Sequence, residues 1–173
     1  MSESPCSGPP RPSYYFTVRL RHAGSDLLVR EIRLLRHCVR LVRQIEPFLI
    51  DAAVVLPSRM HMIWTLPAGD TAYGPRWHQI KTIFANHIPE ADRIPNYPGI
   101  WQRRYWERPI RSAGDRAEFL DAILSAPVDA GLVSDGRHWR YSSFWTGPPP
   151  PPPPAPPKGR ENLHRRGQSI WAD

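Results

Sequence analysis

Two polar side chains interrupt an otherwise apolar stretch of this sequence. The run Val54-Val55-Leu56-Pro57-Ser58-Arg59-Met60-His61-Met62-Ile63-Trp64 is hydrophobic except at a Pro-Ser break and at the pair Arg59 and His61. Residues 50–67 therefore predict two buried strands joined by a tight turn. Strand side chains alternate in direction, so Arg59 and His61 project from one face and Met60 and Met62 from the other. A polar pair on a central strand is the first candidate site. The second is residues 100–111, Ile100-Trp101-Gln102-Arg103-Arg104-Tyr105-Trp106-Glu107-Arg108-Pro109-Ile110-Arg111, which interleave aromatic and cationic side chains. Aromatic faces stack unpaired bases and Arg neutralises phosphate, which suits a binder of single-stranded or hairpin nucleic acid. The other reading is a plain strand with Trp101, Tyr105 and Ile110 in the core.

These residues need elements to hold them in place. Residues 14–20, aromatic and β-branched with partial alternation, predict a first strand. Gly24-Ser25-Asp26 breaks it and caps the next element. Over residues 27–46, Leu28, Ile32, Leu35, Val39 and Val42 recur at spacings of four and three, which is one stripe of an amphipathic helix. Arg33, Arg36, Arg40 and Arg43 form a ridge beside it, either a solvated face or a rail for DNA phosphates. After Pro47 and the strand pair, Ala68-Gly69-Asp70 is a turn. Pro75 marks the first position of a helix with Trp77, Ile80, Phe84 and Ile88 on one side and His78, Lys81 and His87 elsewhere. Residues 89–99 hold three prolines and read as a loop. Asp115 and Glu118 predict a capping box for a last helix bearing Phe119, Leu120, Ile123 and Leu124, stopped at Pro127.

A chain of 173 residues fits one domain with tails. The domain is expected over residues 13–146, after a Ser-, Pro- and Gly-rich leader (1–12) expected to be disordered. The tail 147–173 holds nine prolines in residues 148–157, a polyproline II spacer, and then Arg160, Arg165 and Arg166. It reads as an arm for nucleic acid, as a ligand for a proline-recognition partner, or as an unselected extension. The formal net charge is +7, and of the 23 Lys and Arg residues only Lys81 and Lys158 are Lys. Arginine grips phosphate in two-pronged fashion and stacks on flat rings, so this excess favours a nucleic-acid partner; a GC-rich genome is the bland alternative. Cys6 and Cys38 imply neither a disulfide framework nor a metal knuckle. No apolar run reaches membrane length and no charged-then-apolar leader opens the chain, so a cytoplasmic protein is expected. There is no internal repeat, no P-loop and no Gly-rich dinucleotide fingerprint.

Five stretches resemble the HUH single-tyrosine transposases, and within them the REP-associated tyrosine transposases. The family's Pro-x-His-hydrophobic-His-x-Ile-Trp-Thr-Leu-Pro context is met by Pro57, Met60, His61, Ile63, Trp64, Thr65, Leu66 and Pro67, with Arg59 in place of the first histidine. Its Ser-Arg-Trp-x-x-Ile-Lys helix is met by Arg76, Trp77, Ile80 and Lys81. Residues 100–111 match its Ile-Trp-Gln-x-Arg-Phe-Trp-Glu-His-x-Ile-Arg motif, with Tyr105 for Phe and Arg108 for His. Residues 120–133 match its nucleophile helix, Val-Asp-Tyr-Ile-x-x-Asn-Pro-Val-Lys-x-Gly-Leu-Val. Trp139, Tyr141, Ser142, Ser143 and Phe144 match its closing segment.

The resemblance covers about residues 14–144 and implies an α+β domain of the HUH, ferredoxin-like transposase fold: an antiparallel sheet of four or five strands with helices packed on it. In the family the histidine pair holds Mg²⁺ or Mn²⁺ against the scissile phosphate of single-stranded DNA beside a hairpin, and the tyrosine attacks to leave a 5′-phosphotyrosine. Here the tyrosine position is Ala122 and the polar residue one turn later is Ala126. A guanidinium has no lone pair to offer a cation, so the metal set shrinks to His61, and a metal is expected to bind weakly or not at all. A methyl group supplies no nucleophile, so no catalytic residue is assigned. The expected function is binding of single-stranded or hairpin DNA, including REP-like palindromes, without cleavage, by a monomer or homodimer. The implied contacts are Arg59, Arg76, Lys81, Trp101, Arg103, Arg104, Tyr105, Arg108 and Arg111. The alternatives are strand transfer with Tyr105 or Tyr141 as nucleophile, and a scaffold presenting its polyproline arm.

Overall fold

Strands β1 (Ser13–Arg19), β2 (Leu49–Val55), β3 (Arg59–Thr65) and β4 (Trp106–Ile110) form one antiparallel sheet in the order β2-β3-β1-β4. A computed structural model describes residues 10–89 and 99–147; the expectations for most of the leader, for the loop between residues 89 and 99, and for the Pro-rich tail lie outside these residues. The helices are α1 (Leu27–Arg30), α2 (Ile32–Ile45), α3 (Tyr73–His87) and α4 (Ala113–Asp129), with a 3₁₀ turn after them at Gly136–His138. No described helix is long and apolar enough to cross a membrane.

Alternation along the strands gives the sheet two buried faces. Phe16, Val18, Met60, Met62 and Trp64 point to one, where α2 brings Leu35, Val39 and Val42 and α3 brings Trp77, Ile80 and Phe84. At its centre Trp64 stacks on Trp77 (4.2 Å between centroids, 15° between planes), with Phe48 4.1 Å from Trp64. Each such buried ring is worth about 2–3 kcal/mol of transfer free energy. The helix expected over residues 27–46 is broken at Glu31 into α1 and α2, yet Leu28, Ile32, Leu35, Val39 and Val42 are all buried, so the apolar stripe continues across the break. Helix α3 begins at Tyr73, two residues before Pro75. The proline still falls among the first-turn positions whose N–H groups have no helical partner.

The second face is covered by α4. Tyr15, Ala52, Val54 and Ile63 meet Phe119, Ile123 and Ala126 there. The capping box of α4 is Ser112 with Asp115, not Asp115 with Glu118: Ser112 Oγ accepts from the Asp115 N–H (3.0 Å) and the Asp115 carboxylate accepts from the Ser112 N–H (3.1 Å). Extended backbone at Ser112 (φ −140°, ψ 163°) makes it the residue that starts the helix. Pro127 does not stop α4 but sits in its last turn, where its missing N–H forfeits a single bond; the chain leaves through Gly131 at φ 68°.

Two devices set α4 against the sheet. A bulge between Ile50 and Ala52 turns Asp51 toward α4, where its carboxylate accepts from Thr65 Oγ1 (2.6 Å) and pairs with Arg116 (3.1 Å). Beyond α4, the closing segment lies along β2: Val55 N–H donates to Tyr141 O (2.9 Å), Ser143 N–H to Ala53 O (2.8 Å) and Trp139 Nε1 to Val55 O (2.8 Å). It thereby covers a sheet edge that would otherwise expose unpaired backbone.

Candidate nucleic-acid interface

Arg59 and His61 do share a face, and the register shows what stands across from them. On β1 their partners are Arg19 and Thr17, and the next pair along is Tyr15 with Ile63. His61 Nδ1 lies 2.7 Å from the Tyr15 hydroxyl and 3.0 Å from Thr17 Oγ1. These hydroxyls orient the ring and leave Nε2 as its remaining polar atom. Tyr15 is 5% exposed, and its ring stacks on Phe119 of α4 at 4.5 Å and 5°. Burial raises its pKa, against the lowering effects of the Thr17 hydrogen bond and of Arg19 and Arg59. The phenol is thus held as a neutral hydrogen-bond partner. The His61 pKa falls to about 4, first through burial and then through Arg59 and Arg19, so the imidazole is neutral near pH 7.

The divalent-cation site implied by the resemblance does not fit these residues. Among the described residues no three His, Cys, Asp or Glu side chains come together as a ligand set. What stands at the position is one imidazole nitrogen with two guanidinium groups close enough to depress its protonation. Neither guanidinium has a lone pair to give, and both repel a cation. The same surroundings favour an anion.

Helix α4 covers this face of the sheet. Phe119 lies over Tyr15, Ala126 is buried against the sheet, and Ala122, between them at helical spacing, belongs to the same strip. Ala122 offers only a methyl on this strip, and the Ser125 hydroxyl is turned back toward the Ala122 carbonyl (3.5 Å). Tyr105 and Tyr141, the alternative nucleophiles, both pack against the opposite core, on the far side of the sheet from His61. Burial pushes the Tyr105 phenol up to about 12, aided by Glu107 and Tyr73.

The residues expected to touch DNA divide into three groups. Arg76 and Trp101 belong to the interior, which corrects their place in the contact set. Arg76 is 3% exposed, pairs with Asp70 (2.6 Å) and donates to the carbonyls of Ala72, Glu46 and Pro47. Trp101 is 7% exposed and donates to Lys81 O (3.0 Å). Lys81 and Tyr105 are partly committed: Lys81 Nζ donates to Gln102 O (2.8 Å) and sits 5.8 Å over the Tyr105 ring. Arg103, Arg104, Arg108 and Arg111 are exposed, and Arg59 is half-buried beside His61. The ridge on α2 is not a continuous rail: Arg33 is exposed, but Arg43 donates to Phe48 O (3.0 Å) and Arg36 is half-buried beside Arg140 and Tyr141.

Four residues at the site are not evident from the sequence. Arg19, Thr17 and Tyr15 read as part of a plain strand, and only the antiparallel register places them against Arg59 and His61. Trp106 is one aromatic among several in residues 100–111. It is 52% exposed, pairs with Thr17 on the His61 face, and carries the Arg108 guanidinium 4.8 Å over its ring.

An imidazole-bearing central strand in a β2-β3-β1-β4 sheet, with helices packed on both faces, makes this an α+β protein. The solved structure of a REP-associated tyrosine transposase bound to a REP hairpin matches it with a TM-score of 0.71 and 32% identity, over 98% of this chain and 100% of that one. A transposase-assigned crystal structure from Deinococcus radiodurans shares the fold alone, with a TM-score of 0.50 and 15% identity over 71% of this chain and 95% of that one. In sequence, the REP-associated tyrosine transposase of Escherichia coli K12 is 41% identical over 132 residues, 76% of each chain. A Haemophilus influenzae protein named for the same family is 35% identical over 138 residues, 76% of this chain and 78% of its own length. No protein-family model matches. The chain belongs to the REP-associated tyrosine transposase family.

Proposed function

We propose that this protein binds hairpin DNA with a single-stranded flank and does not cut it. The observation that carries this reading is the pairing in the sheet: Arg59 stands beside His61 in β3 and opposite Arg19 of β1, while α4 bears Ala122 where the resemblance puts the family's tyrosine. A cation-repelling guanidinium and a methyl leave the strand without metal ligation and without an attacking hydroxyl at that position, while the positive charge that draws phosphate stays. The bound state of the structural relative, a REP hairpin, supports this choice of DNA partner.

One observation favours a second reading. The Tyr15 phenol lies 2.7 Å from His61, which makes it the phenol to weigh for strand transfer in place of Tyr105 and Tyr141. Its 5% exposure and raised pKa weigh against attack on a phosphodiester.

The test is a labelled REP-type hairpin with a single-stranded 5′ flank, incubated with the protein and Mn²⁺. The expected result is a retarded complex with no nicked product and no covalent adduct. The double variant Arg59→His with Ala122→Tyr is expected to yield an adduct from the same substrate. An adduct formed by the unaltered chain would overturn the reading, and its disappearance in Tyr15→Phe would assign the attack to Tyr15.

A further inference from the structure

We propose that Arg19 and Arg59 form a metal-independent clamp for one backbone phosphate of single-stranded DNA, with Trp106 as the platform for an adjoining unpaired base. The inference rests on the DNA-binding reading above and specifies how the strand is held.

Arg19 and Arg59 are directly opposed across β1 and β3, on the face that carries His61. Like charges opposed in this way destabilise a strand pair. Nothing among the described residues relieves them: neither guanidinium has a carboxylate within ion-pair reach or a side-chain hydrogen-bond partner, whereas Arg76, Arg116 and Arg137 each have an acidic partner. Two guanidinium forks carried on one face can each offer paired N–H donors to a phosphodiester. Because guanidinium does not deprotonate in the physiological range, this charge is permanent and needs no ion to supply it. His61, held through Nδ1 by Tyr15 and Thr17, keeps its Nε2 uncommitted on the same face as the arginines.

Trp106 stands one strand further on. It pairs with Thr17 on β1, so it lies on the same face as the arginines, about 5 Å across from β1 and about 7 Å along it from Arg19. Its ring meets Tyr15 in an edge contact (6.4 Å, 89°) and carries the Arg108 guanidinium over one face (4.8 Å), yet it is 52% exposed, so a stacking base would take the open face or displace Arg108. An exposed, positioned indole next to a phosphate site is the arrangement that stacks a base without reading its identity.

The experiment measures affinity for two DNAs by fluorescence anisotropy, one a hairpin with a single-stranded flank and one blunt, each in EDTA and in Mn²⁺. Unaltered protein is expected to bind the flanked hairpin equally within twofold in both buffers. Arg19→Met and Arg59→Met are each expected to weaken it about tenfold and to lower the salt slope by about one. Arg33→Met, a charge control on exposed α2 surface, is expected to cost no more than twofold. Trp106→Ala is expected to weaken the flanked hairpin about tenfold and the blunt one not at all. Circular dichroism checks that each variant keeps its fold; the DNA-free like-charge repulsion also predicts that either Met variant unfolds at higher urea than the parent. Binding that requires Mn²⁺, or equal losses at Arg19, Arg59 and Arg33, would overturn the clamp while leaving DNA binding in place. Absence of any hairpin binding by the unaltered chain would overturn both.

Discussion

Acid should unsettle this fold through one histidine, and the size of the effect is set by where that histidine sits. His61 has a pKa of about 4 in the folded chain, against 6.5 for an ordinary imidazole, because burial and then Arg59 and Arg19 disfavour its charged form. At pH 7 it is neutral folded and mostly neutral unfolded, and contributes little to the pH dependence. As pH falls below 6.5 the unfolded chain takes up a proton that the folded chain refuses, so stability declines, and the decline ends near pH 4. The full difference amounts to up to about 3 kcal/mol, a large share of a domain's stability. His61→Gln removes the titrating group. Urea midpoints measured from pH 7 to pH 4 for parent and variant are expected to converge, the parent losing up to about 3 kcal/mol more than the variant over that window. Imidazole resonances tracked by NMR give the His61 pKa directly; Arg59→Met should raise it part of the way, since burial, the larger cause, remains. A bound phosphate should raise it as well. Equal pH slopes for parent and His61→Gln, or a His61 resonance titrating near 6.5, would refute the reasoning.

Two further outcomes separate scaffold from interface. Arg76→Met should destabilise the fold by about 3–5 kcal/mol, because it leaves Asp70 without its ion pair and the carbonyls of Ala72, Glu46 and Pro47 without donors; the folded fraction should bind hairpin as the parent does, and a loss of affinity without loss of melting temperature would return Arg76 to the DNA surface. Gly136→Ala should cost about 2 kcal/mol in a urea titration, since a Cβ there would run into the Leu124 carbonyl oxygen and push the closing segment off α4. A neutral result would mean that this segment rides loosely on the helix.

Much of the frame is legible in the residues themselves. The alternation through residues 50–67 predicts β2 and β3, and the stripe from Leu28 to Val42 predicts the helical cover, because burial on one face writes a period into the chain. Motif resemblance picks out Arg59, His61 and Ala122, the three positions on which the proposed absence of cleavage rests. Boundaries are less legible. The break at Glu31, the cap at Ser112 and the passage of α4 beyond Pro127 depend on backbone angles and on single hydrogen bonds that residue type only biases.

What sequence could not decide is which polar groups meet. Arg19 is forty residues from Arg59, and Tyr15 and Thr17 are 46 and 44 residues from His61, so only the β1-β3 register makes them neighbours. Exposure was equally out of reach: within one aromatic and cationic stretch, Trp101 is interior and Trp106 is open, because the chain bridges to Leu20 at Trp101 and enters β4 only at Trp106. Arg76 matches a motif and carries the same charge as Arg59, yet the carbonyls that gather around it make it part of the interior. Residue type sets what a side chain can do; long-range packing, through register and burial, sets which of those capacities face the same partner.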